Sequence, residues 1–365
     1  MHTLKYIAWF RNIRFLGALA IGLSPVAGQA SPGYQVFVSN EKSGDVTVIN
    51  GRDYSVTATI HLGKRPRGIQ VSPDGKTVYV ALSGTPVKAP PKLDANGNPI
   101  FKNANGKDDD DDGAAADKAA DGIGVVDVAT MKMTGKLNAG SDPEEFAVSK
   151  DGKRLYASNE DAKTATVINV ATKQVEHVIP VGQDPEGVET TTDGRRFYVT
   201  CESGGDIYVV DTTSYKTVAH FKVDGRPRSV DFLPNGRVGF IPSESNGELN
   251  VIDPLTAKVL QTIKLPAGSR PMRVRVAPNA KRIYLSEGRA GTISVLDAHT
   301  YQLLDTIKVG TRPWGIALSP DGKFLFAANG PSNDVSVVDL KTNKEIMRVK
   351  AGLSPWGLVV VPSAH

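Results

Sequence analysis

Apolar and polar positions alternate in short runs that recur along most of the chain. One such run is apolar-rich and closes on Asp or Asn, and it occupies residues 46–50, 123–127, 165–169, 207–211, 249–253, 293–297 and 335–339. Its closing residues lie 77, 42, 42, 42, 44 and 42 positions apart. Short alternating runs predict β-strands, and their regular spacing predicts a repeat architecture.

A Gly-x-x-Pro turn recurs with the same period. Asp224 replaces the glycine in the fourth copy, and the prolines are Pro66, Pro143, Pro185, Pro227, Pro271, Pro313 and Pro355. Each period holds four short β runs, and Asp-Gly or Asn-Gly pairs mark tight turns between them. Four-stranded antiparallel units of this length are typical of propeller blades. We therefore predict an all-β, seven-bladed β-propeller of four-stranded antiparallel blades.

The two ends of the chain indicate how the ring closes. The first repeat begins with a second-type strand at 35–39, and the last one ends with a first-type strand at 357–361. An unpaired strand at either end would expose a sheet edge. We predict that the C-terminal strand completes the N-terminal blade.

The first thirty residues differ from the repeats. Basic residues precede a short apolar run at 15–23, and the small residues Gly28 and Ala30 follow. This order is typical of a cleavable secretory signal, and the run is too short to span a bilayer. We predict a signal peptide at 1–30 and a propeller at 31–365 that is periplasmic or secreted; a retained membrane anchor is the alternative.

Charge and cysteine content narrow the classes of partner. The formal net charge is +4, and removal of Lys5, Arg11 and Arg14 with the signal leaves about +1. A nearly neutral surface does not indicate general nucleic-acid binding. Cys201 is the only cysteine, so no internal disulfide forms.

The long interval between the first two copies contains an insertion at about 84–121. Its prolines, Asn/Gly stretch, five Asp at 108–112 and Ala-rich tail cannot build a core, so a disordered loop is predicted. It joins the second and third strands of its blade, on the same face as the Gly-x-x-Pro loops. Segments 94–98 and 103–108 resemble calcium loops but lack the full ligand spacing. A solvated acidic linker is predicted, and no metal site.

Several segments resemble the YVTN-type β-propeller repeat: 78–81 (VYVA), 155–159 (LYASN), 197–200 (FYVT), and the SPDG turns at 72–75 and 319–322. The resemblance covers the whole mature chain. It is closest to the exported propeller proteins associated with PQQ-dependent alcohol catabolism. It implies a non-catalytic accessory role beside a periplasmic quinoprotein dehydrogenase, although a propeller fold hosts many functions.

Residues that flank the repeat prolines should surround the mouth of the central channel. The candidate ligand-binding residues are Arg65, Arg67, Asp142, Glu144, Asp184, Glu186, Arg226, Arg228, Arg270, Arg312, Trp314 and Trp356. Arginine binds carboxylates and tryptophan offers a stacking face, so one interpretation is a site for a small anionic or planar ligand or a protein partner. The other is packing between blades, with Arg–acid pairs closing the mouth.

The absence of several motifs argues against particular classes of enzyme. His61, His177 and His220 fall in or near fourth-type strands and His299 in a turn, so a multi-histidine metal site is not predicted. Cys-x-x-Cys-His and Gly-x-Ser-x-Gly are absent. No catalytic residue and no cofactor is predicted.

The leading hypothesis is an exported binding scaffold. A hydrolase such as a lactonase, with clustered acidic, Arg or His residues at the mouth, is the alternative. Single-stranded nucleic-acid binding through the tryptophans is a third hypothesis.

Overall fold

A computed structural model describes residues 33–86 and 115–363. Both segments belong to the same unit of the chain, Pro32–His365. The predicted signal peptide at 1–30 and residues 87–114 of the predicted insertion lie outside the described residues. The described part contains seven four-stranded antiparallel sheets.

The strands of the first four repeats follow one another as blades 1 to 4. Blade 1 begins with β1 (Tyr34–Asn40), β2 (Asp45–Asn50) and β3 (Val56–His61). Blade 2 is β4 (Pro66–Val71), β5 (Thr77–Leu82), β6 (Gly122–Asp127) and β7 (Lys132–Leu137). Blade 3 is β8 (Pro143–Val148), β9 (Arg154–Asn159), β10 (Thr164–Asn169) and β11 (Gln174–Pro180). Blade 4 is β12 (Pro185–Thr190), β13 (Arg196–Cys201), β14 (Asp206–Asp211) and β15 (Thr217–Lys222).

The remaining strands form blades 5 to 7 and complete blade 1. Blade 5 is β16 (Asp231–Phe232), β17 (Gly239–Ser243), β18 (Glu248–Asp253) and β19 (Lys258–Lys264). Blade 6 is β20 (Pro271–Val276), β21 (Arg282–Glu287), β22 (Thr292–Asp297) and β23 (Leu303–Lys308). Blade 7 is β24 (Pro313–Leu318), β25 (Phe324–Asn329), β26 (Asp334–Asp339) and β27 (Lys344–Lys350), and β28 (Pro355–Pro362) follows.

Blade 1 closes the ring as the sequence predicts. Its strand order is β28-β1-β2-β3, and Val36 faces Val360 in the antiparallel register. The C-terminal strand therefore supplies the innermost strand that the N-terminal repeat lacks. The seven-bladed, all-β prediction is confirmed.

Burial explains why the third-type strands are apolar-rich. They lie inside the blades, and β26 is buried along its four central residues. Apolar residues fill seven core clusters, each between two neighbouring blades. Between blades 3 and 4, for example, the rings of Tyr156 and Phe197 stack with centroids 4.5 Å apart. The outermost strands, such as β3, are largely exposed.

The innermost strands approach each other closely around the channel. A Cβ atom added to Gly68 would lie 2.6 Å from the carbonyl oxygen of Glu144 in the next blade, and one on Gly187 the same distance from that of Arg228. Only glycine permits such contact. The Ser158 hydroxyl adds a bond between blades by donating to the carbonyl of Glu186, at 2.6 Å. The innermost strands of neighbouring blades are thus in direct backbone contact.

Most innermost strands begin with an irregularity in pairing. In blade 3 the register shifts between Pro143 and Phe146, and the equivalent shift recurs in blades 2, 4, 6 and 7. Such a bulge redirects the side chains of the extra residues. We call the channel end at the Gly-x-x-Pro loops the mouth, and the end at the turns between first and second strands the far end.

The ends of the predicted insertion are held against blade 2. The backbone N–H of Asp117 donates to the carbonyl of Gly84 at 2.9 Å, and the Gly84 N–H donates to Asp121 at 2.7 Å. A short 3-10 helix, Lys118–Ala120, lies between these contacts. Within the described residues, no helix has the length and hydrophobicity to cross a membrane.

Candidate functional site

The loops at the mouth share an unusual backbone conformation. The residue before the repeat proline has a positive φ in six blades, at Arg65 (42°), Asp142 (56°), Asp184 (48°), Arg226 (60°), Arg312 (51°) and Ser354 (59°). This left-handed region is uncommon for residues other than glycine. Because the same conformation recurs around the ring, it places these side chains in equivalent positions at the mouth.

Arg67 on β4 forms an ion pair with Glu144 on β8, which joins blades 2 and 3. Both residues are buried, and Glu144 is only 1% exposed. Glu41 of blade 1 lies 3.6 Å from the Arg67 Nε atom. Burial and the neighbouring Arg65 lower the pKa of Arg67, while the surrounding carboxylates oppose that shift.

Arg65 extends this network. Its guanidinium lies 3.2 Å from Glu41 and 3.6 Å from Asp142, and it donates to the carbonyl of Thr85 at 2.7 Å. The Ser83 hydroxyl donates to Asp142. Burial raises the pKa of Asp142, and the nearby arginines oppose the shift. Three blades are thereby joined by two arginines and their carboxylate partners.

Three glutamates surround Arg228 on the other side of the mouth. Its guanidinium lies 2.7 Å from Glu186, 2.9 Å from Glu202 and 2.5 Å from Glu244. Burial alone would lower the pKa of Arg228, but the glutamates outweigh it and raise that pKa. Arg226 contacts Glu202 as well. This cluster fastens blade 4 to blade 5.

One carboxylate cluster has the composition of a cation site. Asp142, Glu144 and Glu160 each bring an oxygen within 4.8 Å of the others. Oxygen clusters of this kind suit hard divalent cations. However, Arg67 contacts Glu144 and lies 3.9 Å from Glu160. The protein's own arginine therefore supplies the positive charge beside this cluster.

Trp314 and Trp356 stack on each other, with ring centroids 5.5 Å apart and planes 25° from parallel. The guanidinium of Arg67 lies 5.3 Å from the Trp356 ring, and those of Arg228 and Arg312 lie 5.0 and 5.3 Å from the Trp314 ring. Cation–π contacts of this type stabilise the stack. The aromatic surfaces predicted to receive a planar ligand are thus engaged by the protein itself.

The other predicted mouth residues also contact the protein. Asp184 accepts a hydrogen bond from the Ser203 hydroxyl. The backbone N–H of Arg270 donates to Glu287 at 2.6 Å. Ion pairs between blades dominate the mouth, in keeping with the packing interpretation. A binding role for these residues stays a prediction.

Below the mouth, the channel has a narrow neck. Arg273 on β20 reaches across it to form an ion pair with Glu145 on β8. The gap left beside this pair has a volume of about 10 Å³. That is room for at most one water molecule. The ion pair therefore lies across the channel between the mouth and the far end.

The far end opens into a cavity of about 400 Å³, which sequence reasoning did not identify. Its polar side is formed by Gln70, Glu189, Asp231 and Arg275, together with two threonines. The opposite side is apolar and comes from residues 317–318 and 358–360 of blades 7 and 1. A concave, largely apolar site with a few convergent polar groups is the usual form of a ligand pocket.

Three charged residues from consecutive blades meet in this cavity. Glu189 lies 4.0 Å from Arg275, and the two side chains are 25% and 23% exposed to solvent. Burial raises the pKa of Glu189 to about 7; Arg275 opposes the rise and Asp231 adds to it. Asp231 accepts backbone hydrogen bonds from Phe232 and Val276, both at 2.8 Å. Burial raises the pKa of Asp231 as well.

A sequence signal for this cavity exists. The fourth residue after each repeat proline occupies an equivalent position on the innermost strand, and these residues are Gln70, Ala147, Glu189, Asp231, Arg275, Ala317 and Val359. The charged members come from blades 4, 5 and 6. Comparison of this position across the repeats would have revealed an acidic pair beside an arginine.

Two family models match parts of the chain. A YNCE-like β-propeller matches residues 103–196, and a lactonase described as a 7-bladed β-propeller matches residues 187–353. These matches support a propeller family; similarity to the PQQ-associated subgroup stays a prediction. No curated protein sequence matches the chain significantly.

Solved structures share the fold at low sequence identity. The periplasmic gluconolactonase of Pseudomonas aeruginosa has a TM-score of 0.67 and 18% identity, with 90% of this chain and 99% of that one covered. A Bacteroides fragilis protein provisionally assigned as a 6-phosphogluconolactonase has a TM-score of 0.69 and 15% identity, with 91% and 99% covered. Hydrazine synthase of Kuenenia stuttgartiensis has a TM-score of 0.66 and 20% identity, with 82% and 96% covered.

Proposed function

We propose that this protein is a hydrolase that opens a lactone ring in the far-end cavity. The observation that carries the proposal is the meeting of Glu189 with Arg275 in a solvent-accessible cavity of about 400 Å³. The lactonase match at 187–353 includes Glu189, Asp231 and Arg275. The fold is shared with proteins described as lactonases. The proposal takes up the hydrolase alternative of the sequence analysis and moves its site from the mouth to the far end.

Glu189 is the general base in this proposal. Its carboxylate accepts a proton from a water molecule, and the water oxygen forms a bond to the lactone carbonyl carbon. The ring C–O bond then breaks, and the departing oxygen takes the proton back from Glu189. The product is the open hydroxy acid, so atoms and charges balance.

Arg275 is the group that stabilises negative charge. Its guanidinium can donate to the carbonyl oxygen as charge develops there, which lowers the barrier most when the donor is already in place. Asp231 cannot turn freely, because both of its carboxylate oxygens are held by backbone N–H groups. Its negative charge contributes to the raised pKa of Glu189. A base is most effective when its pKa lies near the working pH.

The test is lactone hydrolysis by the full chain, followed as acid release in weakly buffered solution. We expect Glu189→Gln to lower kcat/KM by about 100-fold or more, the usual contribution of a general base. The matched control is Glu176→Gln on the outer strand β11, which pairs with Arg154 far from the cavity. The rate should rise with pH through about 7 in the wild type. Equal activity of the two variants, or no hydrolysis of any lactone, would contradict the proposal.

Export is proposed separately from catalysis. The basic start, apolar run and small residues within 1–30 support a cleaved secretory signal. Cell fractionation and N-terminal sequencing of the purified protein test it; a cytoplasmic protein with an intact N-terminus would overturn it. If no lactone is hydrolysed, the non-catalytic scaffold with a protein or anionic ligand at the mouth is the function to test next.

A further inference from the structure

We infer that the far-end cavity accepts an uncharged, polyhydroxylated lactone and discriminates against its phosphorylated counterpart. This inference rests on the proposed function and adds the substrate class to it. The fold is shared with proteins described as acting on either type of lactone, so the fold does not decide between them. The charged residues that line this cavity distinguish the two types of lactone.

The cavity contains more negative than positive charge. Glu189 and Asp231 face one arginine, Arg275, and the other lining residues are uncharged. Arg275 already lies 4.0 Å from Glu189. The next arginine up the channel, Arg273, is paired with Glu145 in the neck. In the catalytically active form, in which Glu189 is ionised, a phosphate group in the cavity would therefore meet two carboxylates without a cation of its own. Like charges at close range disfavour binding.

The neutral groups suit a hydroxylated ring. Gln70, Thr190 and Thr192 offer donors and acceptors on one side of the cavity. Thr192 uses its hydroxyl proton in a bond to the carbonyl of Leu233, at 3.0 Å, and keeps its acceptor capacity. The apolar side, formed by residues 317–318 and 358–360, can cover the C–H face of the ring. A sugar-derived lactone has this combination of polar edge and apolar face.

Size does not produce the discrimination. The volume of about 400 Å³ lies within the range of small-molecule pockets and leaves room for a substituent on the ring. A phosphorylated lactone is therefore expected to be rejected by charge, and the rejection should be weaker once a cation is added to the cavity.

The experiment compares glucono-δ-lactone with 6-phosphoglucono-δ-lactone, which share the ring and differ by one phosphate. We expect kcat/KM to be about 100-fold higher for the uncharged compound. In Gln70→Lys the ratio should fall roughly fivefold, the effect of one partly exposed ion pair. Gln70→Met is the matched control of similar size without charge, and it should leave the ratio unchanged.

The outcomes separate the two proposals. Equal or faster hydrolysis of the phosphorylated compound would overturn the inference while the hydrolase proposal survives. If neither lactone is hydrolysed, the hydrolase proposal fails, and thermal stabilisation by glucono-δ-lactam and its 6-phosphate then tests the inference alone. Stabilisation by the neutral lactam, abolished by phosphorylation, supports it; preference for the phosphate, or stabilisation by neither compound, overturns it.

Discussion

Arg273 of blade 6 crosses the central channel and forms an ion pair with Glu145 of blade 3. The two residues lie 128 positions apart in the chain, and their side chains are 13% and 2% exposed. Burial is the main cause that lowers the pKa of Arg273, followed by the neighbouring Arg275. The pair therefore holds opposite sides of the ring together and keeps two buried charges compensated.

Breaking this pair should be costly. We expect Glu145→Ala to lower the free energy of unfolding by about 3–5 kcal/mol, because it leaves the charge of Arg273 buried without a carboxylate partner. The double variant Arg273→Met/Glu145→Leu should recover most of that loss, since no charge remains to be compensated. Urea unfolding measures both. A loss no larger than that of Glu176→Gln, which breaks the more exposed pair with Arg154, would contradict the prediction.

Arg228 should show a pH-dependent effect on stability. Arg228→Met removes the cation that contacts Glu186, Glu202 and Glu244 together, while Arg226 still contacts Glu202. At pH 8 the expected loss is about 3–5 kcal/mol. At pH 5 the loss should be smaller, because carboxylates that lack a cation take up protons and lose their repulsion. Urea unfolding at both pH values checks this, and Arg154→Met on the exposed pair is the control. An equal loss at the two pH values would be the contrary result.

Glu189 should destabilise the protein in its ionised form. Its pKa is about 7 in the folded state, above the ordinary value of 4.5, so the folded state binds more protons between these values. Stability therefore falls as pH rises from about 4.5 through about 7. Glu189→Gln removes this dependence, and its gain in Tm over the wild type should be larger at pH 8 than at pH 5. Glu176→Gln should show no such difference, and a gain that is independent of pH would refute the assignment.

The stacked tryptophans should give a spectroscopic signature. Two indoles with centroids 5.5 Å apart couple electronically, so the wild type should show an exciton couplet in its circular dichroism. Trp314→Phe and Trp356→Phe should each remove the couplet as fully as the double variant, because coupling needs both rings. Trp9→Phe, made in the uncleaved chain, is the control, since residue 9 lies in the predicted signal. A couplet that survives in either single variant would mean that the rings are not stacked.

Replacement of residues 87–114 by a short Gly/Ser linker should leave the fold intact. Strands β5 and β6, on either side of this segment, pair in register from Thr77↔Asp127 to Leu82↔Gly122, as adjacent strands do in the other blades. Loop length has little effect on stability, so the free energy of unfolding should change by less than about 1 kcal/mol. Lactone hydrolysis should also persist, because the connection between β5 and β6 lies at the mouth. Loss of either property would place residues 87–114 in the core or in the site.

Much of the fold can be predicted from local patterns in the sequence. The repeated prolines and Asx residues mark equivalent points in each blade. Successive side chains of a strand point to opposite faces of the sheet, and both faces need to be buried. The interaction partners of the candidate site residues cannot be predicted from such local patterns. Arg67 and Arg228 each pair with a glutamate on a neighbouring innermost strand, but further partners, Glu41 and Glu202, come from loops.

The cavity was missed for a related reason. Glu189 and Arg275 are the penultimate residues of β12 and β20, and Asp231 begins the short β16. A charged residue there resembles any solvent-facing strand position. Their importance appears only when three strands from different repeats are placed side by side.

The sequence alone thus determined the number of blades, their strand order and the closure by β28, because periodic hydrophobic burial is a property of neighbouring residues. Only the tertiary structure decided which arginine pairs with which carboxylate, and that Arg273 crosses the channel to Glu145. It also decided where the open cavity lies. These features depend on distances of a few ångströms between residues from different blades, and electrostatic interactions are sensitive to such distances.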